Sequence, residues 1–264
     1  MRKLLQGLRQ FQSSLYPQKQ ELFARLAHGQ NPSVLFITCS DSRIIPSMLT
    51  QMDVGDLFVI RNAGNIIPPY GSANGGEGAA IEYAIHALNI KEVVVCGHSN
   101  CGAMKGLLKL DHLKTEMPLV YEWLQHAEST RRLVKENYQQ CSGEDLLEIT
   151  TAENVLTQID NLQTYPVVRA RLRQGNLQIY GWVYDIESGE ILTYDPNSHA
   201  FLPTNDLAIV EYQQFQRELP VNDRPLPMSC PPSPLATDAN LAPWLSPSQA
   251  ERIHRGSNGA SAGH

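Results

Sequence analysis

Residues 93–102 of the chain read Val-Val-Val-Cys-Gly-His-Ser-Asn-Cys-Gly, a short apolar run that gives way at once to polar residues. Two similar apolar runs lie earlier in the chain, at residues 34–37 and 57–60. Continuous apolar character is typical of strands buried on both faces, which are usually paired in parallel. Residues 77–88 carry apolar side chains at helical spacing between two of these runs. The pattern therefore predicts an α/β fold with a mostly parallel central sheet and flanking helices.

The first thirty residues carry leucine and phenylalanine at helical spacing, which predicts an N-terminal helical arm. Further elements are predicted downstream, namely helices at residues 118–138, 144–162 and 206–219, and strands at residues 177–182 and 190–194. We expect the two strands to be joined by a turn, and we expect one catalytic domain over residues 1–219.

The composition changes after residue 219. Residues 220–247 hold eight of the 17 prolines and no glycine, which is typical of an extended or disordered linker. Residues 248–255 then regain helical character behind a serine with glutamate three positions on, a capping-box pattern. We interpret residues 220–264 as a proline-rich extension ending in a short docking helix. The alternative is a solvated tail without a role.

The overall charge excludes several classes of partner. With 21 basic and 27 acidic residues the net charge is −6, so we expect neither nucleic acid nor an anionic membrane as the main partner. No apolar run approaches the roughly 20 residues that a membrane helix needs. The first sixteen residues are typical of an amphipathic helix rather than a signal peptide. Five sparse cysteines favour a reducing, cytoplasmic location over a disulfide framework.

Polar segments follow three of the predicted strands, at residues 39–43, 61–65 and 98–102. Open α/β sheets place their sites at the carboxyl ends of strands. There Cys39, His98 and Cys101 offer two thiolates and one imidazole, and we expect the last two to project from one face at the start of a helix. Two sulfurs and one nitrogen favour zinc, and three ligands leave a position for water. Taken alone, the pair could instead arise by chance or reflect a buried cysteine.

Asp41 and Arg43 lie two positions apart beside the first cysteine. In an extended segment such residues point the same way, so the carboxylate and the guanidinium can pair next to a metal. A structural ion pair, or a cap for the following helix, is the alternative interpretation.

The three polar segments read Cys-Ser-Asp-Ser-Arg, Arg-Asn-Ala-Gly-Asn and Gly-His-Ser-Asn-Cys-Gly. Their sequence and order resemble the β-class carbonic anhydrases over about residues 1–215. The resemblance implies one Zn²⁺ per subunit, bound by Cys39, His98 and Cys101, with Asp41 and Arg43 as the catalytic dyad. It also implies that a further set of residues surrounds the substrate pocket, namely Gln30, Phe58, Ala63, Tyr83 and Gly102.

The implied activity is the reversible hydration of carbon dioxide to bicarbonate and a proton. The implied assembly is a homo-oligomer built from dimers, and a trimer of dimers is one such assembly. Two alternatives remain: hydrolysis of a related heterocumulene such as carbon disulfide or carbonyl sulfide, and an inactive zinc-binding scaffold. The dyad of Asp41 and Arg43 argues against a scaffold, because a purely structural zinc needs neither residue.

Some family members are held in a closed form by bicarbonate, bound through tryptophan, arginine and tyrosine. The matching residues here are Phe36, Arg61 and Tyr184. The missing indole argues against this regulation.

The tail, through residues 241–246 and 249–256, resembles the ending of cyanobacterial carboxysomal members. That resemblance implies a location inside the carboxysome, with recruitment by a scaffold protein that carries a γ-carbonic anhydrase-like domain.

Overall fold

The computed structural model describes residues 1–72 and 75–204, which form a six-stranded sheet flanked by helices. The strands are β1 (Val34–Cys39), β2 (Leu57–Asn62), β3 (Glu92–His98), β4 (Gln178–Tyr184), β5 (Ile191–Asp195) and β6 (Ala200–Pro203). Their order across the sheet is β2-β1-β3-β4-β5-β6, with parallel pairing from β2 to β4 and antiparallel pairing beyond. The predicted α/β fold with a mostly parallel sheet is confirmed.

The described helices are α1 (Arg2–Gln10), α2 (Tyr16–Gln18), α3 (Gln20–Leu26), α4 (Pro46–Thr50), α5 (Gly76–Glu82), α6 (Gly102–Leu108), α7 (Leu110–Glu116), α8 (Pro118–Leu124), α9 (Glu128–Asn137), α10 (Gly143–Gln163) and α11 (Pro166–Arg173). The predicted N-terminal arm is confirmed as α1 to α3, and none of the side chains of α1 is buried. No helix in the described ranges is both long and apolar enough to cross a membrane.

The central strands are buried on both faces, as their apolar runs predict. Leu35 and Ile37 of β1 pack into one apolar cluster, and the alternating Phe36 packs on the opposite face with Cys96 of β3. Cys96 is a fully buried core residue, and burial raises the pKa of its thiol to about 12.

Helix α10 lies unusually close to β3. A Cβ added to Gly97 would come within 2.9 Å of Cγ2 of Val155, so this crossing requires glycine. The close approach brings the polar side chains of α10 to the carboxyl edge of the sheet.

Several elements differ from the sequence prediction. The helix expected at residues 77–88 is α5 followed by a π-helical turn at Tyr83–Ala87, and the helix expected at residues 118–138 is divided into α8, a 3₁₀ turn and α9. Helix α11 and the edge strand β6 were not predicted, because short segments carry little periodicity. The predictions for residues 206–219, 220–247 and 248–255 lie outside the described residues.

Candidate metal centre

Cys39, His98 and Cys101 form one buried cluster, whose ligand atoms all lie within 4.8 Å of one another. Cys39 ends β1 and His98 ends β3, which are adjacent parallel strands, so both side chains reach the same sheet edge. Cys101 is the N-cap of α6. The expectation that His98 and Cys101 share a helix face is wrong: a turn with Asn100 in the left-handed region (φ 56°) joins strand to helix. The turn brings the two side chains together.

The imidazole of His98 is oriented by its own loop. Its Nδ1 lies 2.9 Å from the carbonyl oxygen of Ser99, and a carbonyl can only accept, so Nδ1 carries the proton. Nε2 then presents a lone pair, and this buried atom has no hydrogen-bond partner in the described part of the protein. A buried acceptor without a partner is costly unless it binds something. Donation from the second ring nitrogen to a carbonyl is the usual support of a metal-bound histidine.

The two cysteines share one negative charge. The hydrogen bond from Cys101, helped by the backbone N–H groups of Gly64 and Asp41, lowers the pKa of Cys39 against the opposing effect of burial. The Cys39 thiolate and burial together raise the pKa of Cys101. Two converging sulfurs and one free imidazole nitrogen fit the donor preference of a zinc ion. A divalent ion bound here would also supply the positive charge that allows both thiols to ionise.

The Asp41 carboxylate lies beside this cluster and is bound by Arg43. Nε donates to Oδ1 at 2.9 Å, Nη2 donates to Oδ2 at 2.8 Å, and the backbone N–H of Arg43 donates to Oδ1 at 3.0 Å. These bonds hold the pKa of Asp41 below its usual range. The expected pairing is present, but residues 41–43 form a turn rather than an extended segment. The centre therefore has an ionised carboxylate at its border.

Arg61 supports the loop that carries both Cys39 and Asp41. Its Nε donates to the carbonyl oxygen of Cys39 at 3.1 Å, and Nη2 donates to that of Asp41 at 2.7 Å. Arg61 was expected only at a bicarbonate site, and its contact with this loop was not predicted. The pairing of β1 with β2, which places Cys39 opposite Asn62, brings Arg61 alongside the loop.

Residues 63–67 form a second loop that lines the centre, and side chains bind it from several directions. The side-chain amide of Asn62 both accepts from and donates to the backbone of Ile66. Three contacts come from helices: Trp123 Nε1 to Ala63 O (2.8 Å), Asn154 Nδ2 to Gly64 O (3.0 Å), and Ile67 N to Gln158 Oε1 (2.8 Å). Sequence reasoning missed all three helix residues. The available signal was limited to Asn154 and Gln158, two amide side chains four positions apart on the buried face of α10.

The residues expected around the substrate pocket are placed unequally. Ala63 belongs to the loop beside Cys39, and Gly102 directly follows Cys101. Phe58 and Tyr83 pack against each other, with ring centroids 6.1 Å apart. Gln30 lines a cavity of about 620 Å³ whose walls include none of the three cluster residues. The structure thus brings Ala63 and Gly102 to the centre and does not bring Gln30 there.

Comparison with known proteins agrees with this geometry. A family model described as carbonic anhydrase matches residues 34–191. A carbonic anhydrase of Synechococcus elongatus is 55% identical and covers 97% of this chain and 99% of its own length. The solved structure of the β-carbonic anhydrase CcaA is similar with a TM-score of 0.77 at 58% identity, over 77% of this chain and 99% of that one.

This chain belongs to the β-class carbonic anhydrases. It is therefore an enzyme of carbon dioxide hydration and a metal-binding lyase. A carbonic anhydrase of Pseudomonas aeruginosa is 46% identical over 76% of this chain and 91% of its own length. A solved structure from a pair of tetrameric β-carbonic anhydrases of Sordaria macrospora is also similar to this chain. Its TM-score is 0.66 at 30% identity, over 73% of this chain and 95% of that one.

Proposed function

We propose that this β-carbonic anhydrase binds one zinc ion per chain through Cys39, His98 and Cys101 and interconverts carbon dioxide and bicarbonate inside the carboxysome. The observation that carries the catalytic proposal is the free Nε2 of His98, buried between two cysteine thiols and bordered by the Asp41 carboxylate. A zinc ion held there would lower the pKa of a bound water to about 7 and so supply a nucleophile for carbon dioxide.

The protein's own contribution begins with Asp41. Oδ1 accepts two hydrogen bonds from Arg43 and Oδ2 accepts one, so Oδ2 has a lone pair left over. Oδ2 is also the oxygen that lies 3.9 Å from Nε2 of His98. Asp41 is therefore the group that would accept a hydrogen bond from an attacking water or hydroxide and orient it toward the substrate carbon. Because its pKa is held low, Asp41 keeps this acceptor role across the neutral range.

Arg43 and Arg61 keep that carboxylate in place. Arg43 binds the side chain, and Arg61 binds the backbone carbonyls of Cys39 and Asp41. Holding a reacting group in a fixed orientation removes much of the entropic cost of the reaction. The two arginines thus orient the catalytic loop through its side chain and its backbone.

A second copy of the chain is the proposed partner that completes the substrate pocket. Leu4, Leu8 and Leu15 of the arm are at least 46% exposed, and Tyr83 is 49% exposed. An exposed apolar face of this kind marks an interaction surface. A dimer that covers the arm would also bring Gln30, Phe58 and Tyr83 to a shared cleft, and assembly of such dimers gives the homo-oligomer, including a trimer of dimers.

Residues 220–264 are proposed to recruit the enzyme to the carboxysome through a scaffold protein with a γ-carbonic anhydrase-like domain. Support comes from coverage: the cyanobacterial relative aligns with 97% of this chain, whereas the Pseudomonas relative aligns with 76%. A chain truncated after Leu219 is expected to keep its hydration rate and to disappear from purified carboxysomes. Normal recovery of the truncated chain with carboxysomes would overturn the recruitment proposal.

Stopped-flow hydration of carbon dioxide, combined with elemental analysis, tests the catalytic proposal. The purified protein is expected to contain zinc, to lose activity when a chelator removes it, and to regain activity when zinc alone is returned. Carbon disulfide and carbonyl sulfide serve as competing substrates in the same assay. Full activity in the zinc-free protein, or turnover of the sulfur compounds without hydration, would contradict the proposal.

A further inference from the structure

One peptide group connects helix α8 to the metal centre. The backbone N–H of Gly64 donates to Sγ of Cys39 at 3.4 Å. That N–H belongs to the same peptide group as the carbonyl oxygen of Ala63, which accepts a hydrogen bond from Nε1 of Trp123 at 2.8 Å. The Ala63–Gly64 peptide group is therefore bound at both ends, by an indole on one side and by a ligand sulfur on the other.

A peptide group transmits orientation because it is planar and rigid. Fixing the direction of the carbonyl fixes the direction of the N–H at the opposite side of the plane. Hydrogen bonds in such a chain also polarise one another, so donation to the carbonyl makes the amide a stronger donor. The indole thus acts on the sulfur without touching it.

The surrounding contacts leave this peptide group little freedom. Gly64 has φ +82°, and a Cβ there would come within 2.9 Å of Cε of Met104 and 3.0 Å of Cβ of Ala103, so the loop is pressed against α6. The next carbonyl, that of Gly64, accepts from Asn154. Of these contacts, the hydrogen bond from Trp123 is made to the same peptide group whose N–H donates to Cys39.

We propose that Trp123 is a positioning residue for the metal ligand Cys39, acting through the Ala63–Gly64 peptide group. This inference rests on the proposed function, since it requires a metal ion at Cys39. Trp123 also packs in the apolar cluster around Cys101 and makes an edge contact with His126, with ring centroids 5.6 Å apart. A test must therefore separate the indole N–H from the bulk of the ring.

Two substitutions make that separation in the full-length protein. Trp123→Phe removes the donor and keeps an aromatic ring, and 3-benzothienylalanine at position 123 keeps the indole shape while replacing N–H by sulfur. Trp182→Phe is the matched control, because it removes an indole that packs against Phe36 in a different cluster. Each protein is loaded with cobalt(II), whose thiolate-to-metal absorption band reports the electron density on sulfur.

Both position-123 variants are expected to shift the cobalt–thiolate band to lower energy, because a weaker N–H···S bond leaves the sulfur lone pair higher in energy. Chelator competition is expected to show a cobalt dissociation constant raised by about 10-fold, as for other groups that orient metal ligands. Trp182→Phe should leave both quantities unchanged.

The possible results test the proposed metal centre and the role of Trp123 separately. A wild-type protein without a cobalt–thiolate band would contradict the proposed metal centre itself. The role of Trp123 would be overturned if the wild-type protein shows the band and the benzothienylalanine protein has the same band energy and the same cobalt affinity. A change in Trp123→Phe alone would then reflect the loss of ring packing, not the loss of the N–H donor. If Trp123→Phe does not fold, the benzothienylalanine protein decides the question by the same two measurements.

Discussion

The carboxylate of Asp41 and the imidazole of His98 approach to 3.9 Å, measured from Oδ2 to Nε2. This separation is too long for a direct hydrogen bond between them. The two atoms therefore lie beside each other without a direct hydrogen bond, and Arg43 holds Asp41 in this position by binding both of its carboxylate oxygens. Most consequences for activity follow from this arrangement.

Asp41→Asn should lower kcat/KM for hydration by about 100-fold or more, because the amide replaces an acceptor oxygen and carries no charge. The zinc content should stay normal, since Asp41 is not one of the three proposed ligands. The measurement is stopped-flow hydration with metal analysis on the same sample. Asp53→Asn is the matched control, because Asp53 pairs with Lys19 away from the centre. A fall of similar size in the control would show that general destabilisation explains the effect.

Arg43→Lys should behave as a loss of function despite the retained charge. A lysine ammonium is a single point charge, whereas Arg43 binds both carboxylate oxygens with one planar group. We expect a decrease of about 10- to 100-fold in kcat/KM with zinc retained. Activity close to wild type would mean that charge alone orients Asp41.

Cys101→Ser should abolish zinc binding and activity together. A serine hydroxyl is a harder and far less acidic ligand than a thiol, so the donor set loses its preference for zinc. Cys141→Ser is the control, since Cys141 is only half-buried and lies outside the cluster. Elemental analysis after dialysis checks both variants. Retention of zinc by the Cys101 variant would exclude Cys101 as a ligand.

Gly97→Ala should destabilise the fold, because the new methyl group would lie 2.9 Å from Cγ2 of Val155. Overpacking of this kind costs typically about 1–3 kcal/mol in the free energy of unfolding. Gly7→Ala is the matched control: its Cβ meets nothing within 4 Å, and it lies in α1, where alanine favours the helix. Urea unfolding of both variants measures the difference. Equal stability of the two variants would contradict the close packing of α10 on β3.

Bicarbonate should inhibit hydration without cooperativity. Phe36 is buried against the edge of Trp182, and its ring offers no hydrogen-bond donor. Arg61 is also engaged by two backbone carbonyls of the catalytic loop. Initial rates across a bicarbonate series should therefore fall along a simple hyperbola, and a sigmoidal decline would show that a closed form is stabilised after all.

The central part of the fold follows from the sequence because β1 and β3 are apolar throughout, and this pattern specifies buried parallel strands. The same pattern places Cys39 and His98 at strand ends, so the cluster itself was predictable. The turn that brings Cys101 back toward His98 was not predictable, since it depends on a left-handed Asn100. Local periodicity carries no information about such a conformation.

The supporting contacts of the centre were the least predictable part. Trp123, Asn154 and Gln158 act on backbone groups about 60 to 90 residues away in the chain. Their partners are peptide N–H and C=O groups, which every residue possesses, so the sequence around residues 63–67 shows no trace of them. Only the three-dimensional placement of α8 and α10 over the sheet edge reveals what these side chains do.

The pairing of β1 with β3 has a consequence for how the protein matures. Cys39 reaches His98 only when the two strands are in the observed register, and a slip of one residue would turn Cys39 toward the opposite face of the sheet. The ligand set is therefore incomplete in any mispaired chain. A metal ion bound by all three residues would therefore stabilise the correctly paired chain over any chain with shifted strands.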